Sequence, residues 1–92
     1  MNKEDARLYV DIHTSVVKEF VAYPYCAVEI EVKVEGQTFR ATGIAECSKK
    51  DKWNPGPNPL KPGPYGRSIA CGRAKAKIVK LLCKQNTGCM QK

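Results

Sequence analysis

The second half of the chain has almost no acidic residues. From residue 48 to residue 92 there are eleven lysines and arginines but a single acid, Asp51, so this half carries a formal charge of +10. Residues 1–47 contain five lysines and arginines and eight acids, which leaves a charge of −3. A small domain with one strongly basic half is typical of proteins that bind an anionic partner, of which nucleic acid is the commonest.

Long hydrophobic runs are also missing. No apolar stretch approaches the roughly 20 residues that a membrane-spanning helix needs. The chain starts with the polar residues Asn2-Lys3-Glu4-Asp5, and no apolar segment of the signal-peptide kind follows them. We therefore expect a cytoplasmic protein with no membrane partner. Its 92 residues, 42% of them hydrophobic, predict one folded domain over residues 1–92.

The residues that usually build active sites are scarce. His13 is the only histidine, there is no Gly-rich phosphate loop, and the five cysteines include no Cys-x-x-Cys pair. Cysteines in this pattern are typical of reduced thiols that serve as small hydrophobic side chains. A metal site made of His13 and two or three cysteines is the alternative. We expect no enzymatic activity, no cofactor and no metal.

The segment from about residue 4 to residue 21 has the apolar period of an amphipathic helix. The large apolar residues on one side of this helix are Tyr9, Ile12, Val16, Val17 and Phe20. Asn2 is placed to act as the N-cap. Because valine, isoleucine and threonine are frequent in this segment, a strand is the alternative interpretation.

A β-hairpin is the clearest local signal. Apolar and charged residues alternate over residues 28–34, which predicts a half-buried strand at residues 26–34. Glu35-Gly36 predicts a two-residue turn into a second strand at residues 38–47. The resulting register sets Glu31 opposite Arg40 on the solvent side. Its apolar pairs are Val32 with Phe39, Ile30 with Ala41, and Val28 with Gly43.

The rest of the chain is predicted to be a Pro-rich loop (residues 48–66), a helix at residues 67–85 and a tail at residues 86–92. Ser68 is the expected N-cap of this helix. Gly72 lies inside the helix, where glycine costs about 1 kcal/mol relative to alanine, and a strand that passes close by would explain it. Together the elements predict an α+β fold of two layers, with an antiparallel hairpin or sheet covered on one face by the N-terminal and C-terminal helices. Two strands make a marginal sheet, which a third strand from the Pro-rich loop or from a second copy of the chain would complete.

Basic residues of the second helix recur at the spacing i, i+4, i+7, i+11, which puts them in one line on the helix surface. This basic stripe consists of Arg73, Lys77, Lys80 and Lys84. No acid on the helix neutralises it, which favours anion binding over a face that serves solubility alone. Five further candidate ligands of nucleic acid are Lys49, Lys50, Lys52, Trp53 and Arg67. Trp53 can stack on a base while the lysines hold phosphate, or it can fold back as a lid on the core.

The end of the hairpin resembles double-stranded RNA-binding domains. The segment Gly43-Ile44-Ala45-Glu46-Cys47-Ser48-Lys49-Lys50 is similar to the last strand and the start of the final helix in that family, and Arg73-Ala74-Lys75-Ala76-Lys77 to its Ala- and Lys-rich helix. The resemblance implies that Lys49, Lys50, Arg73 and Lys77 bind phosphates across an RNA groove. The chain departs from the family in two respects. Only two strands are predicted where the family has three, and 16 residues separate Lys50 from Arg67, whereas in the family the Lys-Lys pair opens the helix.

The sequence therefore predicts a non-enzymatic nucleic-acid-binding module, with RNA favoured over DNA, that uses the basic face of its C-terminal helix. The alternative is a protein-interaction or structural module, homodimeric through the open edge of its sheet.

Overall fold

The fold is a three-stranded sheet with two helices packed on one face. The computed structural model describes residues 2–50 and 52–87, with side chains as far as Cys83. The elements in chain order are α1 (Lys3–His13), β1 (Ser15–Ala22), β2 (Tyr25–Val34), β3 (Gln37–Glu46) and α2 (Gly66–Thr87). The strands are antiparallel in the order β1-β2-β3. The predicted two-layer α+β fold is confirmed.

The helix predicted over residues 4–21 is wrong in its second half. Asn2 caps α1 as expected, since its Oδ1 accepts from the Asp5 amide at 2.8 Å. The helix ends at His13, because Thr14 has an extended backbone and its hydroxyl donates back to the Val10 carbonyl. The β-branched and aromatic residues that follow form β1, which pairs with β2. The third strand thus comes from this segment, not from the Pro-rich loop or a second copy.

The predicted hairpin register is confirmed at every position that was predicted. Arg40 lies 3.0 Å from the Glu31 carboxylate on the open face of the sheet. Glu35 and Gly36 both have positive φ angles, 47° and 82°, as a tight two-residue turn between twisted strands requires. The alternation of side chains therefore sends the even-numbered residues of β2 into the core. Four of them are fully buried: Cys26, Val28, Ile30 and Val32.

The close approach between helix and strand lies at Gly43, not at Gly72. A Cβ built on Gly43 would stand 1.9 Å from the carbonyl oxygen of Ala70, so α2 rests directly on the backbone of β3. A Cβ on Gly72 would meet nothing within 4 Å, and the expectation that a strand passes there is wrong. The side chains of Val10 and Ile78 complete the core beneath the two helices.

The Pro-rich loop folds back over the start of α2, and its described residues, 48–50 and 52–65, contain no strand. The amide of Gly66 donates to Asn54 and that of Arg67 to Pro55, both at 2.9 Å. The helix begins at Gly66, so Ser68 is inside its first turn and is not the N-cap. Its buried hydroxyl instead donates to the Lys61 carbonyl at 2.6 Å.

The C-terminal end of α2 extends past the predicted boundary. Asn86 and Thr87, which were assigned to the tail, are still helical, whereas the remainder of the predicted tail lies outside the described residues. In the described part of the chain, no helix is both long enough and apolar enough to cross a membrane.

Candidate nucleic-acid interface

The basic stripe of α2 lies along the outer edge of the sheet. Arg73, Lys77 and Lys80 are exposed, and the side chain of Lys84 lies outside the described residues. Arg73 donates to the carbonyl of Ile44 and Lys77 to that of Thr42, each at 2.7 Å. These two side chains reach the edge of β3 because Gly43 allows the helix to sit so close to the strand.

The acidic half of the chain does not neutralise the basic stripe. Within residues 2–50 and 52–83, none of the exposed stripe cations forms an ion pair with a carboxylate. The acids pair with other cations instead. Glu31 contacts Arg40 and Lys33 on the open face of the sheet, and Asp11 of α1 contacts Lys75 at 3.1 Å. The positive charge of the stripe therefore faces solvent.

Arg67 lies apart from this surface. Its guanidinium contacts the Glu19 carboxylate of β1 at 2.8 Å, and it also donates to the carbonyl of Gly56. Only 21% of the Arg67 side chain is exposed. The residue thus joins the start of α2 to β1 and to the Pro-rich loop, and its charge is already matched.

The other predicted ligands form a second group at the opposite end of α2. Lys49, Lys50 and Lys52 are exposed just after β3. Trp53 is half-buried against the core and meets the ring of Tyr23 edge-on, with 5.3 Å between ring centroids. This placement agrees with the lid interpretation of Trp53. At 1.5 Å per residue, the helix separates the start of α2 from Lys80 by roughly 20 Å, so the structure does not gather the predicted ligands at one point.

A groove of about 820 Å³ runs between α1, α2 and the Pro-rich loop. Its floor is largely apolar, and among the described residues its lining includes one acid, Asp11, against six cations. These cations are Lys3, Arg7, Lys61, Lys75, Lys77 and Lys80. A second depression, of about 430 Å³, lies between α2 and β3 and is also lined by Lys77 and Lys80. These two lysines therefore stand on the ridge between two concave surfaces.

Sequence reasoning missed Lys3, Arg7 and Lys61 as part of the basic surface. Lys3 and Arg7 belong to the acidic half of the chain, where their charges are outnumbered. Their i, i+4 spacing does place them on one side of α1. Only the packing of α1 against α2 brings that side to the groove, and no local signal in the sequence specifies this packing.

The cysteines and the histidine form no chemical centre in the described part of the chain. Cys26, Cys47, Cys71 and Cys83 are not in disulfides. Burial raises the pKa of the Cys26 thiol, an effect that the nearby Arg67 charge partly offsets, and burial likewise raises the pKa of Cys71. His13 stacks on Tyr9 with 4.1 Å between ring centroids. Among these described residues, no three His, Cys, Asp or Glu side chains are grouped as a metal site would need.

Comparisons with known proteins give no relative from which a function could be transferred. No protein-family model matches the chain, and no curated protein or solved structure is significantly similar to it.

Proposed function

We propose that this protein is a non-enzymatic nucleic-acid-binding module that holds the phosphate backbone on the basic stripe of α2. The observation that carries the proposal is the exposure of Arg73, Lys77 and Lys80 on one helix without a carboxylate partner among the described residues. A row of like charges on a helix is unfavourable by itself. Phosphates are the natural counter-charge, and their binding would release condensed counterions.

RNA is the favoured ligand. The order of one helix, three antiparallel strands and one helix matches the order of elements in double-stranded RNA-binding domains, the family that the sequence around Ser48 resembles. The two-layer architecture supports the proposal, although a fold by itself does not determine a function. The Lys49-Lys50 pair lies at the start of the long Pro-rich loop and does not open α2, so we assign the main phosphate contacts to the basic stripe.

A salt titration of binding tests the proposal. Fluorescence anisotropy would follow generic duplex RNA, duplex DNA and single strands of both kinds, each at several salt concentrations. We expect duplex RNA to bind best, little dependence on base sequence, and a steep linear fall of log K with log salt. The absence of any binding at low salt would overturn the function, and equal binding of duplex DNA would overturn the preference for RNA.

The alternative function is a protein-interaction module that pairs through its sheet edge, and β1 is the edge that such a module would use. On β3, Arg73 and Lys77 already occupy the outward carbonyls of Ile44 and Thr42. The β1 edge bears exposed Val17 and Val21. It also has an irregular register between Val16 and Lys18, a feature that hinders edge-to-edge pairing. Light scattering on the isolated protein would detect a dimer of this kind.

A further inference from the structure

The groove between α1 and α2 has features that phosphate binding by the basic stripe does not use. The part of α2 that lines it presents Gly72, Ala76 and Val79 at the spacing i, i+4, i+7, so that small and apolar residues form a straight floor. Cations stand around this floor, including Arg7 on α1 and Lys61 in the Pro-rich loop. An apolar floor with a cationic rim matches a ligand that is both apolar and acidic.

Gly72 is what keeps the floor open. A glycine inside a helix is unfavourable relative to alanine, and at this position no neighbouring atom within 4 Å requires it. Any side chain there would project into the groove. The absence of side-chain bulk at Gly72, with only a methyl group at Ala76, leaves room for another helix to approach α2 closely.

The outer face of α1 is complementary to the groove, because it combines exposed apolar side chains with acidic ones. Leu8 and Ile12 are one helical turn apart, and they are 62% and 73% exposed. Glu4 and Asp5 lie on the same side of the helix, and neither forms an ion pair among the described residues. Two exposed apolar side chains flanked by two acids make this face a short acidic amphipathic helix with no partner among the described residues.

We propose that α1 of a second copy of the chain docks its Leu8 and Ile12 face into the groove. The apolar side chains would cover the floor at Gly72 and Ala76, and Glu4 and Asp5 would approach the cationic rim. On α1 itself, Lys3 and Arg7 face the groove, whereas Leu8 and Ile12 lie on another side of the helix. One molecule therefore presents its groove and its docking face in different directions, which makes the contact head-to-tail and leaves it open to further growth.

This association does not depend on nucleic-acid binding. It uses the groove side of α2 and the outer side of α1, and it shares Lys77 and Lys80 with the basic stripe, whereas Arg73 lies outside the groove lining. Copies bridged by nucleic acid would imitate it, so the protein must be treated with nuclease and freed of nucleic acid before measurement. Because Lys77 and Lys80 also line the groove, Arg73→Glu is the stripe variant that tests RNA binding alone, and a blocked groove tests the self-association.

A complementation experiment tests the head-to-tail contact. Gly72→Phe fills the groove, and Leu8→Gln with Ile12→Gln removes the apolar docking face. Sedimentation velocity of the full chain should show a mass that rises with concentration in the wild type. For each variant alone, the concentration at which half of the protein is associated should be at least about tenfold higher than for the wild type. A mixture of the two variants should form a one-to-one dimer and nothing larger, because each partner retains one intact surface.

The matched control is Phe20→Gln with Ile44→Gln. These two residues lie on the open face of the sheet, on either side of Ala27, and they are about as exposed as Leu8. Their replacement should leave the association unchanged. Gly72→Leu would replace Gly72→Phe if the latter lost the wild-type circular dichroism spectrum.

Three results would overturn the proposal. If the wild type stayed monomeric at the highest soluble concentration, a second copy would not be the ligand of the groove. The remaining candidates would be an acidic helix of another protein and an anionic amphiphile. A closed dimer that survives both variants would point to sheet-edge pairing through β1. A mixture of the variants that stays monomeric although the wild type associates would exclude the head-to-tail geometry.

Discussion

Gly43 of β3 lies in direct contact with the backbone of Ala70 in α2. A Cβ on Gly43 would stand 1.9 Å from the Ala70 carbonyl oxygen, a separation that real Cβ atoms do not adopt. The helix can rest on the strand only because this position has no side chain. The same contact determines how far Arg73 and Lys77 reach over the edge of β3, so the position of the basic stripe depends on one glycine.

The substitution Gly43→Ala should destabilise the protein. The nearest atoms belong to the helix backbone, which cannot rotate away, so α2 has to shift off the sheet. Overpacking of this kind costs about 1–3 kcal/mol. Urea unfolding followed by circular dichroism would measure the loss.

The matched control for Gly43→Ala is Gly72→Ala, the same chemical change on the facing helix. Because the space around Gly72 is open, alanine there should stabilise the protein by about 1 kcal/mol through helix propensity. Equal effects of the two substitutions would contradict the packing described for α2 on β3.

The β-hairpin could be predicted in register because its signals are local. The alternation in β2 and the Glu35-Gly36 turn lie within a few residues of each other, and the turn length determines every later pair. The strand β1 could not be predicted with the same means. The spacing of its apolar residues fits a helix, and its residue types fit a strand. The segment becomes a strand because the second edge of β2 is available for pairing, which is a tertiary contact.

The basic stripe could be predicted from the sequence, but its surroundings could not. The spacing of Arg73, Lys77 and Lys80 is a property of one helix and needs no tertiary information. The groove needs α1, α2 and the Pro-rich loop together, and the engagement of Arg67 by Glu19 joins residues 48 positions apart. The two glycines show the same limit, because Gly43 lies against the helix backbone while a Cβ on Gly72 would meet nothing within 4 Å, and the sequence alone does not distinguish the two cases.

Breaking the contact between Arg67 and Glu19 should destabilise the fold measurably. A double-mutant cycle with Arg67→Met and Glu19→Gln should give a coupling free energy near 1 kcal/mol, because both side chains are partly buried. The single variant Arg67→Met should cost more than this, since it also removes the hydrogen bond to the Gly56 carbonyl in the Pro-rich loop. Thermal and urea unfolding of the four proteins would supply the cycle.

The pair of Lys75 with Asp11 is the comparison for that cycle. The Asp11 side chain is 62% exposed, and solvent-exposed ion pairs contribute little. We expect its coupling free energy to be smaller, at about 0.2–0.5 kcal/mol. A larger value for Lys75 and Asp11 than for Arg67 and Glu19 would contradict the structural role assigned to Arg67.

Charge reversal in the basic stripe should weaken nucleic-acid binding without altering sequence preference. Lys77→Glu with Lys80→Glu removes two candidate phosphate contacts, so the slope of log K against log salt should fall by about 2. The double variant Lys18→Glu with Lys33→Glu changes the net charge equally but lies outside the stripe. If both double variants lost the same affinity at every salt concentration, net charge alone would account for binding and the stripe would have no specific role.

Native stability should decrease in alkaline solution because of the buried thiols. Burial raises the pKa of Cys26 and Cys71 above the ordinary value of 9.0. Between the unfolded and the folded pKa, the unfolded chain binds fewer protons than the native one, so the slope of the unfolding free energy against pH is negative. The contribution of the neutral thiols is therefore complete below about pH 9 and is lost progressively above it.

The rate of thiol alkylation measures the burial of Cys26 and Cys71 directly. Iodoacetamide reacts with thiolates, so at pH 8 the native protein should be modified at Cys26 and Cys71 far more slowly than the urea-unfolded chain, as peptide mass spectrometry would show. The variant Cys26→Ala with Cys71→Ala should unfold more easily at neutral pH, because small cavities replace the sulfur atoms, yet lose less stability between pH 8 and pH 10. An equally steep alkaline loss in this variant would assign the effect to tyrosine or lysine titration instead of to the two thiols.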